Sequence, residues 1–393
     1  MERSRSKAAR PVDVFGTPSN NRTIPMQIKR YDIVRKRKRH LTFHAAVEDF
    51  RLRYAGTAPA SVLFDDCTSL YCLDERKQEV VFVVTRDSRE ELIEREPFLY
   101  HGQFQQADSV LTISYEQFFE LARSIPLTPD APVMFIYSVG RCGSTLLSNA
   151  LKTINDVHCV SEPDVFTQLM ASRQQYPKEQ FRQLCDSALR FTLYRKDPYV
   201  RCYAIKFRNF VVQIADVLDQ LYPQSKNVFV YRNMIEWARS YARAFRVFSF
   251  RTSVAMLALQ HVWPNYVPLL RKMEPRWVLG YSNAEYLTIL WLSVVTRYLK
   301  LVRSGISFLK IRYRDLKNHP QRTLKRLFAY TDIPLAEVDT CLAAFQKDSQ
   351  QGTMLDRRAL DRSKRLELTE KHIDEMLGLI KSNADSLKEE VVH

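Results

Sequence analysis

From residue 133 onward the chain alternates short apolar runs with stretches in which apolar side chains recur every three or four positions. The runs at 133–137, 157–160, 203–207, 227–231 and 306–311 have the length of buried strands. Helical patterns follow them at 144–154, 181–194, 210–222, 235–245 and 322–330. This order predicts an α/β fold, a parallel sheet flanked by helices and joined by right-handed crossovers. Upstream, an apolar run at 80–84, a charged turn at 86–91, a short strand at 110–113 and a helix at 115–124 predict a small α+β accessory region. Pro126, Pro129 and Pro132 end that helix and keep the connection extended. The expected division is therefore a disordered tail at 1–28, an accessory region at 29–128 and the α/β domain at 129–393.

The most apolar long segment, 286–302, is interrupted by Thr288, Ser293, Thr296, Arg297 and Lys300. It reads as a buried helix, with no membrane span expected. The end of the chain, 365–391, reads as a charged amphipathic helix packed by its Leu, Ile and Met face.

Composition narrows the class. Hydrophobic residues make up 46% and charged residues 26%, values of an ordinary globular protein. The polar, basic start has no apolar stretch behind it, so a cytoplasmic protein is expected. Seven cysteines without a CxxC pair predict free thiols and no metal site. The net charge of +15 calls for an anionic partner, and placement has to say which. The densest basic run, Arg35 to Arg39, lies far from the motifs below and reads as a solvated face, so nucleic acid is not the expected partner.

Candidate chemistry begins at Phe135-Ile-Tyr-Ser-Val-Gly-Arg-Cys-Gly-Ser-Thr-Leu-Leu147, a buried strand, a tight glycine turn and a helix opening on Ser-Thr. Such a turn aims unpaired backbone N–H groups and the positive helix end at one point, where a phosphate binds. Gly140 and Gly143 permit the turn, Ser144 and Thr145 add hydroxyl donors, and Arg141 adds a fixed positive charge. No lysine follows as in a Walker A loop, which disfavours an ATP or GTP hydrolase. Later, Asn227-Val-Phe-Val-Tyr-Arg-Asn delivers Arg232 at a strand end. If Asn233 opens a helix, Ser240 lies two turns on and on the same side as Arg232, so both can grip one ligand.

At these residues the chain resembles the sulfotransferase family. Its 5′-phosphosulfate loop corresponds to Arg141, Cys142, Gly143, Ser144, Thr145, Leu146 and Leu147, with cysteine at 142 in place of the usual serine. The family's 3′-phosphate motif carries the arginine and serine found here as Arg232 and Ser240. Gln351, Gly352 and Thr353 stand where the family often has a glycine-containing loop over the nucleotide. The resemblance covers about 133–353 and implies a donor, 3′-phosphoadenosine-5′-phosphosulfate, that leaves as adenosine 3′,5′-bisphosphate, with no metal required. It also implies a small-molecule or carbohydrate acceptor, through a hydroxyl or an amine.

For the transfer itself, Arg141 can stabilise charge on the leaving phosphate, and the resemblance places Lys206 near the bridging oxygen. Many cytosolic members carry a histidine two residues after that lysine, whereas here Arg208 stands and cannot accept a proton. Glu162, in a Glu-Pro segment resembling that of carbohydrate-type members, is the candidate base, with His158 in reserve. Two other readings stay open: a sulfotransferase-like nucleotide-binding protein without turnover, and a P-loop kinase. Oligomeric state is open as well.

Overall fold

The computed structural model describes residues 26–37, 44–125, 131–196, 199–245, 247, 263–272, 282–346 and 368–382. The described strands form two five-stranded sheets. The N-terminal region is an antiparallel sheet in the order β2-β1-β5-β4-β3, built from β1 (Gln27–Lys36), β2 (Phe50–Pro59), β3 (Thr68–Asp74), β4 (Glu79–Thr85) and β5 (Ala107–Ser114). Helices α1 (Arg89–Arg95) and α2 (Leu99–Gln106) lie between β4 and β5, and α3 (Tyr115–Arg123) follows β5.

An α+β region was expected there, but only β4, β5 and α3 were anticipated as elements. The stretch 86–91 is no simple charged turn. Ser88 accepts from the Glu91 N–H at 3.2 Å and the Glu91 carboxylate accepts from the Ser88 N–H at 2.8 Å, a reciprocal cap that opens α1. β1 starts at Gln27, inside the stretch expected as tail, and Ile28 is 1% exposed.

The second sheet is parallel, in the order β10-β9-β6-β8-β7. Its elements in chain order are β6 (Val133–Ser138), α4 (Ser144–Leu151), β7 (Val157–Ser161), α5 (Val165–Ser172), α6 (Lys178–Leu193), β8 (Cys202–Lys206), α7 (Ala215–Leu221), β9 (Lys226–Tyr231), α8 (Met234–Phe245), α9 (Asn283–Arg303), β10 (Phe308–Arg312), α10 (Tyr313–Asn318), α11 (Pro320–Thr331) and α12 (Glu370–Ser382). β6, β7 and β8 are buried at every position, as strands covered on both faces must be.

Two boundaries differ from expectation for local reasons. Ile306 belongs to the cap of α9, since Gly305 turns left-handed (φ +94°) and the Ile306 N–H donates to Leu301 at 3.1 Å, so β10 starts later than the apolar pattern does. The helix expected at 210–222 opens as a 3-10 segment, Asn209–Ile214, before α7. The helix expected at 286–302 is α9, and of the stretch 365–391 the described part contains α12.

One apolar core runs through both sheets. Phe191 of α6 stacks on Phe118 of α3 at 5.1 Å and meets Phe82 of β4 edge-on at 5.2 Å. Gln168 of α5 accepts from the Leu73 N–H at 2.7 Å and donates to the Leu73 carbonyl at 2.8 Å, acting as a strand partner for the edge of β3. The accessory sheet is thereby fixed beside the C-terminal ends of β7 and β8.

Candidate active site

β6 and β9 are neighbours, so the loop after β6 and the residues after β9 emerge side by side. In the first loop Gly140, Arg141 and Gly143 all have positive φ (74°, 49° and 85°), which curls the backbone before α4 begins. The curl is anchored on its inner side. The Val139 N–H donates to the Val230 carbonyl at 3.2 Å, the Trp237 indole N–H donates to the Val139 carbonyl at 2.9 Å, and the Cys142 thiol donates to Val230 at 3.1 Å. Cys142 is fully buried, and burial pushes its thiol pKa up, so the cysteine serves as a neutral strut. The first N–H groups of α4 have no partner inside the helix, and Ser144 and Thr145 are buried at its start, at 4% and 6% exposure.

Gly143 is the helix N-cap, and a Cβ there would stand 2.9 Å from the Tyr313 ring. The same ring carries the Arg232 guanidinium, 4.4 Å from its centroid. Arg232 donates to the Arg141 carbonyl at 3.5 Å and pairs with Glu236 at 3.4 Å. Ser240 lies two turns along α8, half-buried. The structure thus sets Arg232 directly against the first loop, on adjacent strand ends.

On the other side of β6, β8 ends at Lys206 and β7 at Ser161. Glu162 takes a left-handed conformation (φ 54°) and donates its N–H to the Lys206 carbonyl at 2.7 Å, while its carboxylate pairs with the Lys206 ammonium. A non-glycine residue held there costs of order 1–3 kcal/mol and persists only where its surroundings enforce it. Two residues further along each strand end a second pair repeats the pattern. Arg208 donates to both Asp164 oxygens at 3.0 and 3.1 Å, and Asp164 also accepts from the Ala45 N–H at 2.7 Å.

Two aromatic residues of the accessory region complete this wall. Phe98 lies 5.2 Å from the Lys206 ammonium and Tyr100 lies 5.3 Å from the Arg208 guanidinium. Burial raises the Tyr100 phenol pKa, so it stays neutral. Asp164, Phe98 and Tyr100 were not anticipated as site residues. The signal for Asp164 was present in the spacing, since Glu162 and Asp164 mirror Lys206 and Arg208 on neighbouring strand ends. The aromatic pair has no such local signal.

His158, the reserve base, is 2% exposed and its Nδ1 lies 3.3 Å from Glu90 of α1, whose carboxylate also meets Arg195 at 3.6 Å. Burial pushes its imidazole pKa down. It is set among these groups at the contact between β7 and α1. Gln351, Gly352 and Thr353 lie outside the described residues.

A cavity of about 380 Å³ opens beside α5, lined by His44, Glu48, Asp74, Glu75, Gln168 and Tyr266 among others. Its acids already have partners within the protein: Lys77 on Asp74 at 3.6 Å and Gln168 on Glu75 at 3.1 Å. Among the described residues no group of three His, Cys, Asp or Glu side chains could hold a metal ion. No described helix is long and apolar enough to cross a membrane.

A family model described as "Sulfotransferase family" matches residues 132–337. Among solved structures, a sulfotransferase from Mycobacterium avium is similar at 11% identity, covering 70% of this chain and 82% of its own, with a TM-score of 0.39. One from Alicyclobacillus acidocaldarius matches at 17% identity, covering 65% of this chain and 94% of its own (TM-score 0.40). A mouse sulfotransferase complexed with PAP matches at 15% identity, covering 70% and 94% (TM-score 0.35). No curated protein matches the chain.

Proposed function

From the chain's membership of the sulfotransferase family, we propose that it transfers a sulfuryl group from 3′-phosphoadenosine-5′-phosphosulfate to an acceptor hydroxyl or amine. The observation that carries this reading is the contact of Arg232 with the Arg141 carbonyl at 3.5 Å, which joins two anion-binding groups on neighbouring strand ends. The donor set suits a nucleotide phosphorylated at both ends. Backbone N–H groups, Ser144, Thr145 and Arg141 would hold the 5′-phosphosulfate, with Cys142, Gly143 and Leu146 shaping the turn. Arg232 and Ser240 would hold the 3′-phosphate. Gln351, Gly352 and Thr353 are assigned to cover the nucleotide from the resemblance alone.

In this mechanism the Lys206–Glu162 pair is a resting arrangement. With the donor bound, Lys206 would turn from Glu162 to stabilise negative charge on the leaving oxygen, and Arg141 would neutralise the departing phosphate. The freed Glu162 carboxylate then takes the acceptor proton. Arg208 is locked on Asp164 and fixes the wall, so the residue that stands where a histidine is common in the family has a scaffold role. The seven cysteines are free thiols, six of them buried, which suits a cytoplasmic setting.

Melting of the protein with adenosine 3′,5′-bisphosphate, AMP, ATP and GTP tests the assignment. The bisphosphate should stabilise far more than AMP, and Arg232→Ala should abolish the difference. Equal shifts for AMP and the bisphosphate would end the proposal. The closed Lys206–Glu162 pair also favours a second reading, a nucleotide-binding protein without turnover. Formation of adenosine 3′,5′-bisphosphate from the donor in the presence of hydroxyl and amine acceptors, lost in Glu162→Gln while nucleotide binding persists, decides for the enzyme; no such product from the wild type decides for the binder.

A further inference from the structure

We propose that Lys152 and Glu90 are positioning residues for the transfer: they seat the helical hairpin α1–α2 on the parallel sheet and thereby hold Phe98 and Tyr100 against Lys206 and Arg208. This rests on the sulfotransferase reading and gives the accessory region a part in it. The hairpin is closed at its base. Gln106 at the end of α2 donates to the Asp87 carboxylate at 2.9 Å and accepts from the Asp87 N–H at 3.2 Å, and Arg95 pairs with the same carboxylate at 2.5 Å. The second half of α2 belongs to the accessory sheet: Gln103 donates to the Ser69 hydroxyl and the Leu70 carbonyl, both at 2.8 Å, and Phe104 packs on the cluster of Phe50, Tyr71 and Val83. The first half, with Phe98 and Tyr100, meets the parallel sheet instead.

Apolar packing holds that half only lightly. Leu92, Ile93 and Leu99 form with Val160 of β7 a cluster of four, separate from the core that runs through both sheets. Phe98 is 8% exposed, yet among the described residues it is part of no apolar cluster; its ring lies over the Lys206 ammonium and stacks on the Tyr100 ring at 6.1 Å. A buried phenylalanine is ordinarily spent on a core. Here the ring covers a charged group, so whatever fixes the backbone at 97 and 98 decides where that cover lies.

Two polar anchors do so, one at each end of α1. Glu96 closes the helix two residues before Phe98, and its carbonyl, past the reach of helical N–H partners, accepts from the Lys152 ammonium at 2.8 Å. Lys152 itself closes α4, the helix that opens on the phosphate loop. A lysine at a helix end ordinarily keeps its ammonium in water, whereas burial brings the pKa of this one down to about 8 where it meets that carbonyl. At the start of α1, Glu90 meets the His158 ring at 3.3 Å and the Arg195 guanidinium at 3.6 Å, and Arg89 beside it lies against the Tyr194 ring at 5.5 Å. Hydrogen bonds and ion pairs fix direction more tightly than a small apolar patch can. Displacement of a reacting group by about 1 Å can cost about a hundredfold in rate, so anchors remote from the chemistry can govern it.

The test compares the full chain with Lys152→Met, Glu90→Ala and Glu90→Gln. Three quantities are measured: formation of adenosine 3′,5′-bisphosphate from the donor with hydroxyl and amine acceptors, hydrogen exchange of the backbone amides at 98–101, and the melting shift with the bisphosphate. Lys152→Met and Glu90→Ala should each lower turnover at saturating donor roughly tenfold to a hundredfold and speed exchange at 98–101, with the half-saturating donor concentration and the melting shift unchanged. Glu90→Gln keeps an oxygen for His158 and Arg195 and should recover much of both losses. Wild-type turnover in Lys152→Met and Glu90→Ala, or lost turnover without faster exchange at 98–101, overturns the proposal. Loss of the melting shift along with turnover marks a general structural defect and overturns it too. A wild type that forms no bisphosphate refutes the sulfotransferase reading and with it the role in transfer, while faster exchange in the two variants would still support the anchoring of the hairpin.

Discussion

Replacing Gly143 by alanine tests the link between the phosphate loop and Arg232. The added Cβ would stand 2.9 Å from Cδ2 of Tyr313 and 3.2 Å from Leu316, at a residue whose φ is +85°. The left-handed conformation alone costs a side-chain-bearing residue about 1–2 kcal/mol. Displacing a packed ring adds a further 1–3 kcal/mol, as overpacking does. A loss of about 2–5 kcal/mol in unfolding free energy follows, read from urea titration. Tyr313 also supports the Arg232 guanidinium at 4.4 Å, so its movement should weaken nucleotide binding. Loss of one charge-assisted contact, about 1.5–3 kcal/mol, lowers affinity for adenosine 3′,5′-bisphosphate by roughly tenfold to a hundredfold in calorimetric titration. Tyr313→Ala should lower affinity as well, and the double variant should recover the steric part of the stability loss while keeping the left-handed part. Wild-type affinity in Gly143→Ala, or strictly additive losses in the double variant, would refute the linkage.

Phe98→Ala should lower turnover with little change in bisphosphate binding, because Phe98 faces Lys206 at 5.2 Å from outside the phosphate loop. It should also destabilise by about 3 kcal/mol as a buried aromatic residue, while Phe98→Leu restores most stability but not turnover; a nucleotide-binding defect in Phe98→Leu would contradict this placement. Lys152 donates to the Glu96 carbonyl at 2.8 Å, and burial brings its pKa down to about 8. Its folded value lies below the unfolded one near 10.4, so the unfolded chain binds more protons between them and stability should rise from about pH 8 upward. Melting followed across that window should show the rise in the wild type and flatten in Lys152→Met; an equal slope in both means that the lysine does not cause it.

The parallel sheet was legible because its strands are buried on both faces and read as plain apolar runs, with the glycine turn punctuating the first of them. The places of Arg232 after a strand end and of Ser240 two turns along the next helix were legible for a related reason: the apolar run and the helical pattern adjoin there. β1 and β2 were hidden because Ile28, Tyr31 and Ile33 alternate with basic residues and the pairing shifts register at Lys29/Tyr31 and Ile33/Arg35, so no two-residue period survives. The helix α1 was masked by its own charges, although Ser88 and Glu91 carry its start signal. Phe98 and Tyr100 reach Lys206 and Arg208 only through packing of one sheet against the other, and no window of sequence encodes that contact.

The hydrogen bond from Ala45 to Asp164 spans 119 residues, and that between Tyr266 and His44 spans 222. A chain emerging from the ribosome can form the accessory sheet once β5 is made at Ser114, yet its contacts with α5 must wait for about fifty further residues, and the Tyr266 contact for about a hundred more. Until then the apolar faces of β3 and β4 lack their covering. Synthesis of this protein is therefore a period of exposure to chaperones, and pauses in translation before residue 266 should be more damaging than pauses after it.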